Sequence, residues 1–174
     1  MASGGVSIGR TYDEVVTGFL SVRPATTADF DTLLKLQDEV AVYLLSCGIK
    51  WNPSAVTRDH LSEWVEEGAL MVGTIEDQVV GAIAIRSTDR GNHWPKGDLA
   101  GYVHDLMVSP EHRGNHLGRQ LLKWAESYAQ GRGRVRVRLD CDASNARLSR
   151  YYEELGYRRV GEFDGAALFE KTLR

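Results

Sequence analysis

The stretch LMVSPEHRGNHLGRQLL concentrates more potential chemistry than any other part of the chain. Its apolar opening reads as a strand, and Arg113, Gly114, Asn115, His116, Leu117 and Gly118 then run onto the first turn of a helix that includes Arg119. A helix start holds N–H groups without intrahelical acceptors, and the helix dipole adds partial positive charge there. Glycines let an anion approach the main chain closely, so a pyrophosphate would suit this bend. An ordinary strand-to-helix connection that uses glycine for its turn explains the same residues equally well. Upstream, His104 is a group whose ordinary titration range suits proton transfer near neutrality, with a histidine simply satisfied inside a sheet as the equal alternative. Tyr102 shares its face under a regular pleat, whereas Asp105 should point to the opposite one. Asp140 and Asp142 flank Cys141 without a third ligand, which gives no reason to expect a metal. Cys141 itself, at the end of an interior-looking strand, reads as packing.

Regular elements must hold these groups in place. FLSVRPA at 19–25 alternates like a strand, and Thr26, Thr27 and Asp29 are candidate caps for a helix. That helix carries a stripe of Leu33, Leu34, Leu36, Val40, Val42, Tyr43 and Leu44, closing at Cys47 and Gly48. A shorter one starts from Thr57, with Leu61, Trp64 and Val65 on one face, and stops near Gly68. Two β-rich runs around Glu76, Asp77 and Gln78 predict an antiparallel hairpin. LAGYVHDLMVSP is a strand ending at Pro110, and LGRQLLKWAESYAQ is an amphipathic helix. Residues 134–141, RVRVRLDC, alternate arginine with apolar side chains, as a strand with one buried and one solvated face requires. No aromatics interleave as base-stacking platforms, so this basic row does not imply nucleic acid. NARLSRYYEELGY forms a last helix ending at Gly156, and short strands at 158–163 and 166–173 finish the chain.

The bulk properties agree with a single globular unit. At 174 residues the chain fits one domain, large enough to bury about two-thirds of its unfolded surface without a staple. We expect that domain over residues 18–174, with 1–17 as a tail that is either mobile or laid over a neighbouring surface. A net charge of −3 and a pI near 6.0 supply no global attraction for phosphate backbones, so nucleic acid is a poor default partner. Cys47 and Cys141 are too few and too far apart for a disulfide framework, and a reducing cytoplasm is the expected setting. No apolar run reaches membrane-spanning length, and the opening residues lack the layout of a signal peptide.

The late helix makes a resemblance specific. Asn145, Tyr152, Gly156 and Tyr157 fall in the register of the corresponding helix of the GNAT acetyltransferase superfamily. Residues 113–118 resemble that family's cofactor loop, Arg/Gln, any, any, Gly, any, Gly/Ala, with Arg113 first, Gly118 last and His116 in place of the middle glycine. A β-carbon at 116 makes a left-handed backbone there strained, while an outward-turned His116 would add a donor; both outcomes stay open.

The resemblance implies a mixed α/β (α+β) fold with a central, mostly antiparallel twisted sheet of about six to seven strands. About four helices would flank it, and the sheet would splay between its fourth and fifth strands. It implies acetyl-CoA as co-substrate, no metal, and a primary amine of a small molecule as acceptor. Leu106, Met107 and Val108 would lie along the pantetheine, and residues 113–119 with Asn145 and Tyr152 would complete the cofactor set. Tyr152 would protonate the leaving thiolate and His104 would assist loss of the amine proton. Tyr102, Trp51 and Trp94 are candidates near the acceptor, with exposed turn residues the plainer reading of both tryptophans. Another acyl donor, either a longer acyl-CoA or an aminoacyl-tRNA, and a CoA-binding domain without turnover are the alternatives. A homodimer rests on family analogy alone.

Overall fold

The computed structural model describes residues 19–49, 56–89, 94 and 99–174. The strands are β1 (Ser21–Pro24), β2 (Leu70–Ile75), β3 (Gln78–Arg86), β4 (Ala100–Val108), β5 (Arg136–Asp142), β6 (Arg158–Phe163) and β7 (Ala166–Thr172). The helices are α1 (Phe30–Ser46), α2 (Arg58–Glu66), α3 (Leu117–Gly131) and α4 (Ala146–Glu154). All seven strands form one sheet in the order β1-β2-β3-β4-β5-β7-β6, antiparallel except for β4 with β5. The expected mixed α/β architecture is therefore present, with seven strands and four helices among the described residues.

Local chemistry explains the element boundaries. Glu76 and Asp77 both take positive φ, 48° and 64°, and join β2 to β3 in a two-residue turn; two successive left-handed residues match the twist of a hairpin. Thr57 caps α2 by accepting from the His60 N–H, and Asn145 caps α4 by accepting from the Leu148 N–H. Gly156 follows α4 at φ 86°, the left-handed stop expected there.

Two apolar layers sandwich the sheet. On one face α3 and α4 pack Leu121, Leu122, Ala125 and Tyr152 against Ile83, Val137, Leu139 and Phe169. On the other, α1 and α2 pack Leu33, Leu36, Leu61 and Trp64 against Val72, Ala82 and Met107. Gly81 is fixed by close approach: a β-carbon there would sit 2.8 Å from the Met107 carbonyl oxygen and 3.0 Å from Leu121 Cδ1.

β5 corrects the sequence reading of its arginines. Val137, Leu139 and Cys141 face the α3 side as expected, but Arg138 is only 5% exposed. It lies in an interior strand whose second face is also covered, beneath Trp94. Its Nε donates to Glu170 at 2.9 Å and its Nη1 donates to the Tyr102 hydroxyl at 3.2 Å. Alternation reported two different faces here, one apolar and one polar; the polar one is buried at Arg138, partly covered at Arg136 and Asp140, and exposed at Asp142.

Asp29 anchors the entry to α1. Both of its oxygens accept from Arg23, at 2.8 and 2.9 Å, and the Thr26 N–H adds a third bond at 2.8 Å. The Arg23 hydrogen bonds, with help from Thr26, hold its pKa at about 2 against the ordinary 3.8. A depressed carboxyl stabilises the fold above its unfolded pKa and loses that contribution as pH falls through the folded one. Arg23 is 44% exposed, so screening reduces the effect to about 1–2 kcal/mol. Urea melts should show this contribution disappearing between about pH 4 and pH 2, and Asp29→Asn should flatten that part of the profile.

Candidate active site

β4 and β5 pair only through Ala100 with Arg136, Gly101 with Val137 and Tyr102 with Arg138. Beyond Tyr102 the strands part, so the later residues of β4 have no strand partner on that side. Two cavities open along this gap. One, of about 450 Å³, is lined by Leu106, Val108, the 112–118 bend and Arg147, Leu148, Tyr151 and Tyr152 of α4. The other, of about 310 Å³, is lined by Val103 through Met107, Leu139, Asp140, Asp142 and again Tyr152. Val40, Leu44 and Ile49 close both from the α1 side, and Leu106, Asn145, Leu148 and Tyr152 also border both.

The bend before α3 offers backbone donors. Gly114 and His116 take φ of 85° and 57°, and His116 precedes α3 as its cap residue. The His116 carbonyl accepts from Gln120, while no hydrogen bond among the described residues occupies the N–H groups of Gly114, Asn115 or His116. Leu117, Gly118 and Arg119 add the first-turn amides, which have no intrahelical acceptor. Gly118 is closely approached: a β-carbon there would lie 3.0 Å from the Tyr151 hydroxyl, which would have to shift to admit it. Arg113 lays its guanidinium over the Tyr43 ring of α1. Burial lowers its pKa, and the neighbouring charge of Arg147 lowers it further. Arg113 and Arg147 both line this cavity, and no carboxylate does so among the described residues. Free amides, a helix start and two cations fit a diphosphate.

His116 is thus left-handed but not crowded, since its side chain is exposed. A β-carbon in this conformation costs about 1 kcal/mol. His116→Gly should raise stability in thermal or urea melts by about 0.5–1 kcal/mol, with CoA affinity at least as tight by titration. A drop in stability would show that the imidazole holds the bend.

Tyr152 sits where the cavities meet. Only 6% exposed, it packs against the rings of Tyr151, Tyr157 and Phe169. Burial, chiefly, with Cys141, Tyr151 and Asp140 nearby, holds its phenol well above the ordinary range and therefore protonated. Asn145 borders both cavities, but its side-chain oxygen is engaged in capping α4. Leu106 and Val108 line the larger cavity, whereas Met107 is buried beneath α1 and α2 and reaches only the smaller one.

The smaller cavity brings together His104, Asp105, Asp140 and Asp142. Asp105 departs from the regular pleat. Met107 pairs with Ala82 and His104 with Ala84, so Asp105 and Leu106 together oppose Ile83, and Asp105 takes φ 45°. This bulge turns its carboxylate toward α2, where it meets His60 Nε2 at 3.8 Å. His104 faces the same helix, its ring 5.8 Å from that of Trp64. The two neighbours share one side, contrary to the sequence expectation. Burial raises the Asp105 pKa and the charge of Asp140 adds to it, while His60 opposes both.

Tyr102 and Trp94 lie elsewhere. They pack with Ala100 and Leu168 around Arg138, and neither borders the two cavities. Trp51 is outside the described residues. Sequence reasoning missed Arg147, Tyr151 and Tyr43. Arg147 and Tyr151 could have been found from α4 itself, because the helical period puts Leu148, Tyr151 and Tyr152 on one face with Arg147 at its rim. Among the described residues no three or more His, Cys, Asp or Glu side chains are arranged so that they could hold a metal ion.

The family model described as the Acetyltransferase (GNAT) family matches residues 35–157. An uncharacterized N-acetyltransferase of Bacillus subtilis, YesJ, is 38% identical over 73 residues, which is 41% of this chain and 41% of that protein. Streptothricin acetyltransferase of Escherichia coli is 26% identical over 138 residues, 76% of this chain and 75% of its own. Among solved structures, a GNAT family acetyltransferase from Listeria monocytogenes is 27% identical with a TM-score of 0.75, covering 88% of this chain and 95% of that one. The PaiA N-acetyltransferase of Thermoplasma acidophilum, solved with coenzyme A, shares the fold at 15% identity, with a TM-score of 0.74 and coverage of 88% and 99%.

Proposed function

The chain belongs to the GNAT acetyltransferase family, and on that premise we propose that it transfers an acetyl group from acetyl-CoA to a primary amine of a small molecule by direct attack. The observation that carries this reading is the placement of Tyr152 between two cavities of opposite charge. The larger would take the cofactor. The amides of residues 114–119, with Arg113 and Arg147, would hold its diphosphate, and Leu106 and Val108 would lie beside the pantetheine arm. When bound, acetyl-CoA supplies the thioester acetyl group.

The remaining work falls to this chain's own residues. An attacking amine must be neutral and must shed a proton. His104 would accept that proton, with the carboxyl of Asp105 lining the same cavity. Tyr152, kept protonated by its burial, would give its phenolic proton to the departing sulfur. Val40 and Leu44 of α1 supply an apolar wall to both cavities.

The acceptor cavity is lined by Asp105, Asp140 and Asp142, with no lysine or arginine among its described lining. Three carboxyl side chains in one lining favour a cationic ligand and disfavour an anionic one. An acceptor with a second ammonium group is therefore expected to outperform one of equal length that ends in a carboxylate. A thiol-release screen with acetyl-CoA should give diaminoalkanes at least about tenfold higher kcat/KM than matching ω-amino acids. Equal rates, or preference for the acids, would contradict the proposed acceptor side. The aminoacyl-tRNA alternative has no support from β5, because Arg136 and Arg138 are both engaged by Glu170.

A further inference from the structure

Two ionisable side chains from different elements meet at the edge of the smaller cavity, and one of them reaches it. Asp105 lines that cavity, whereas His60 is not among the described lining of either. The bulge in β4 turns the Asp105 carboxylate toward α2, so that Oδ2 comes to 3.8 Å from His60 Nε2. Their side chains are 28% exposed for His60 and 25% for Asp105, so solvent screens the pair less than a surface one. α2 fixes the imidazole from behind: the His60 N–H donates to Thr57, and its ring packs on Trp64 with centroids 4.3 Å apart.

Other charges reach this pair from three strands. Asp140 of β5 acts on Asp105, and burial joins it in favouring a proton there, while His60 opposes both. Asp142, also of β5, is exposed and accepts from the N–H and the hydroxyl of Ser144 at 2.7 and 2.6 Å. His104 of β4 has its ring 5.8 Å from Trp64. Arg86 of β3 lies over the same indole and donates to Glu67. His60 is therefore the cation that stands directly against Asp105, and it is one that can discharge near neutral pH, as lysine and arginine cannot.

We propose that His60 is a specificity-determining residue of the acceptor side: its imidazolium neutralises Asp105 in the empty site and gives up a proton when an ammonium group of the acceptor takes that carboxylate. The inference rests on the acetyl-transfer reading and deepens it, because cation binding and proton release become one event. The proton leaves from the imidazolium to solvent, which reaches the exposed part of the ring. Two cations on one partly buried carboxylate repel each other by the equivalent of about tenfold or more in affinity. Since the ligand favours the uncharged imidazole, its affinity rises with pH across the histidine range.

Histidine titration by NMR tests this on the full chain with saturating CoA, with 1,4-diaminobutane as probe and 4-aminobutanoate as control. The resonance lost in His60→Gln identifies His60. Bound diaminobutane should lower the His60 midpoint by about one pH unit, which is a tenfold coupling, and 4-aminobutanoate should leave it in place. By the same linkage the wild type should bind diaminobutane at least about fivefold more weakly at pH 6.5 than at pH 8, and His60→Gln about equally at both. Asp105→Asn should lower the midpoint in the empty site and cancel the diamine effect, which a histidine held only for packing would not show. An unmoved His60 midpoint, with transfer to diamines still observed, overturns this inference alone. Neither binding nor transfer of diamines overturns it together with the acceptor reading.

Discussion

Tyr152→Phe should lower kcat by about 10²–10⁴-fold, the usual worth of a positioned proton donor, while CoA affinity measured by titration stays within about twofold. The split follows from where the hydroxyl stands. The ring packs against Tyr151, Tyr157 and Phe169 and stays in place when the oxygen is removed. Losing only the proton source acts on the transition state, so KM should move little. Because burial keeps the phenol protonated, Tyr152 should contribute no loss of activity across the neutral and mildly alkaline range. Unchanged turnover with a good acceptor would remove Tyr152 from the reaction.

The largest loss of stability is expected at Leu121. It is fully buried in the layer beneath α3, and its methyls lie within reach of the faces of Gly73 and Gly81. Those glycines offer no side chain to fill the space that truncation would leave. Leu121→Ala should therefore cost about 3–5 kcal/mol, toward the upper part of the range for buried leucines. Urea denaturation should show the shift in midpoint with an unchanged slope. A cost below about 1.5 kcal/mol would mean that α3 settles onto the sheet.

Much of the fold was legible because its elements are amphipathic and well punctuated. α1, α3 and α4 each announce themselves by a helical stripe, and the left-handed pair Glu76 and Asp77 marks a hairpin that composition alone suggests. What escaped was anything set by tertiary contact. The burial of Arg138 depends on the cover of Trp94 and on Glu170, which lies 32 residues away in sequence. Asp105 escaped for a different reason: a bulge adds one residue to a strand without any mark in the alternation. The site divides in the same way. Arg113, Gly118 and Tyr152 stand out through spacing, whereas Tyr43 reads only as part of a packing stripe and Arg147 belongs to no motif.

The gap between β4 and β5 also governs how the molecule holds together. Three register pairs at one end are all that stitch β1 through β4 to the ribbon formed by β5, β7 and β6. Above that seam, cohesion passes to α3, which packs against β3 and β4 on one side and β5 on the other. In the proposed reaction the Tyr152 ring would carry two loads, proton donation from its oxygen and the seating of α4 on β7 through its carbon face. Exchange of the oxygen would cost little structure, whereas removal of the ring would unseat α4 from Phe169 and Tyr157.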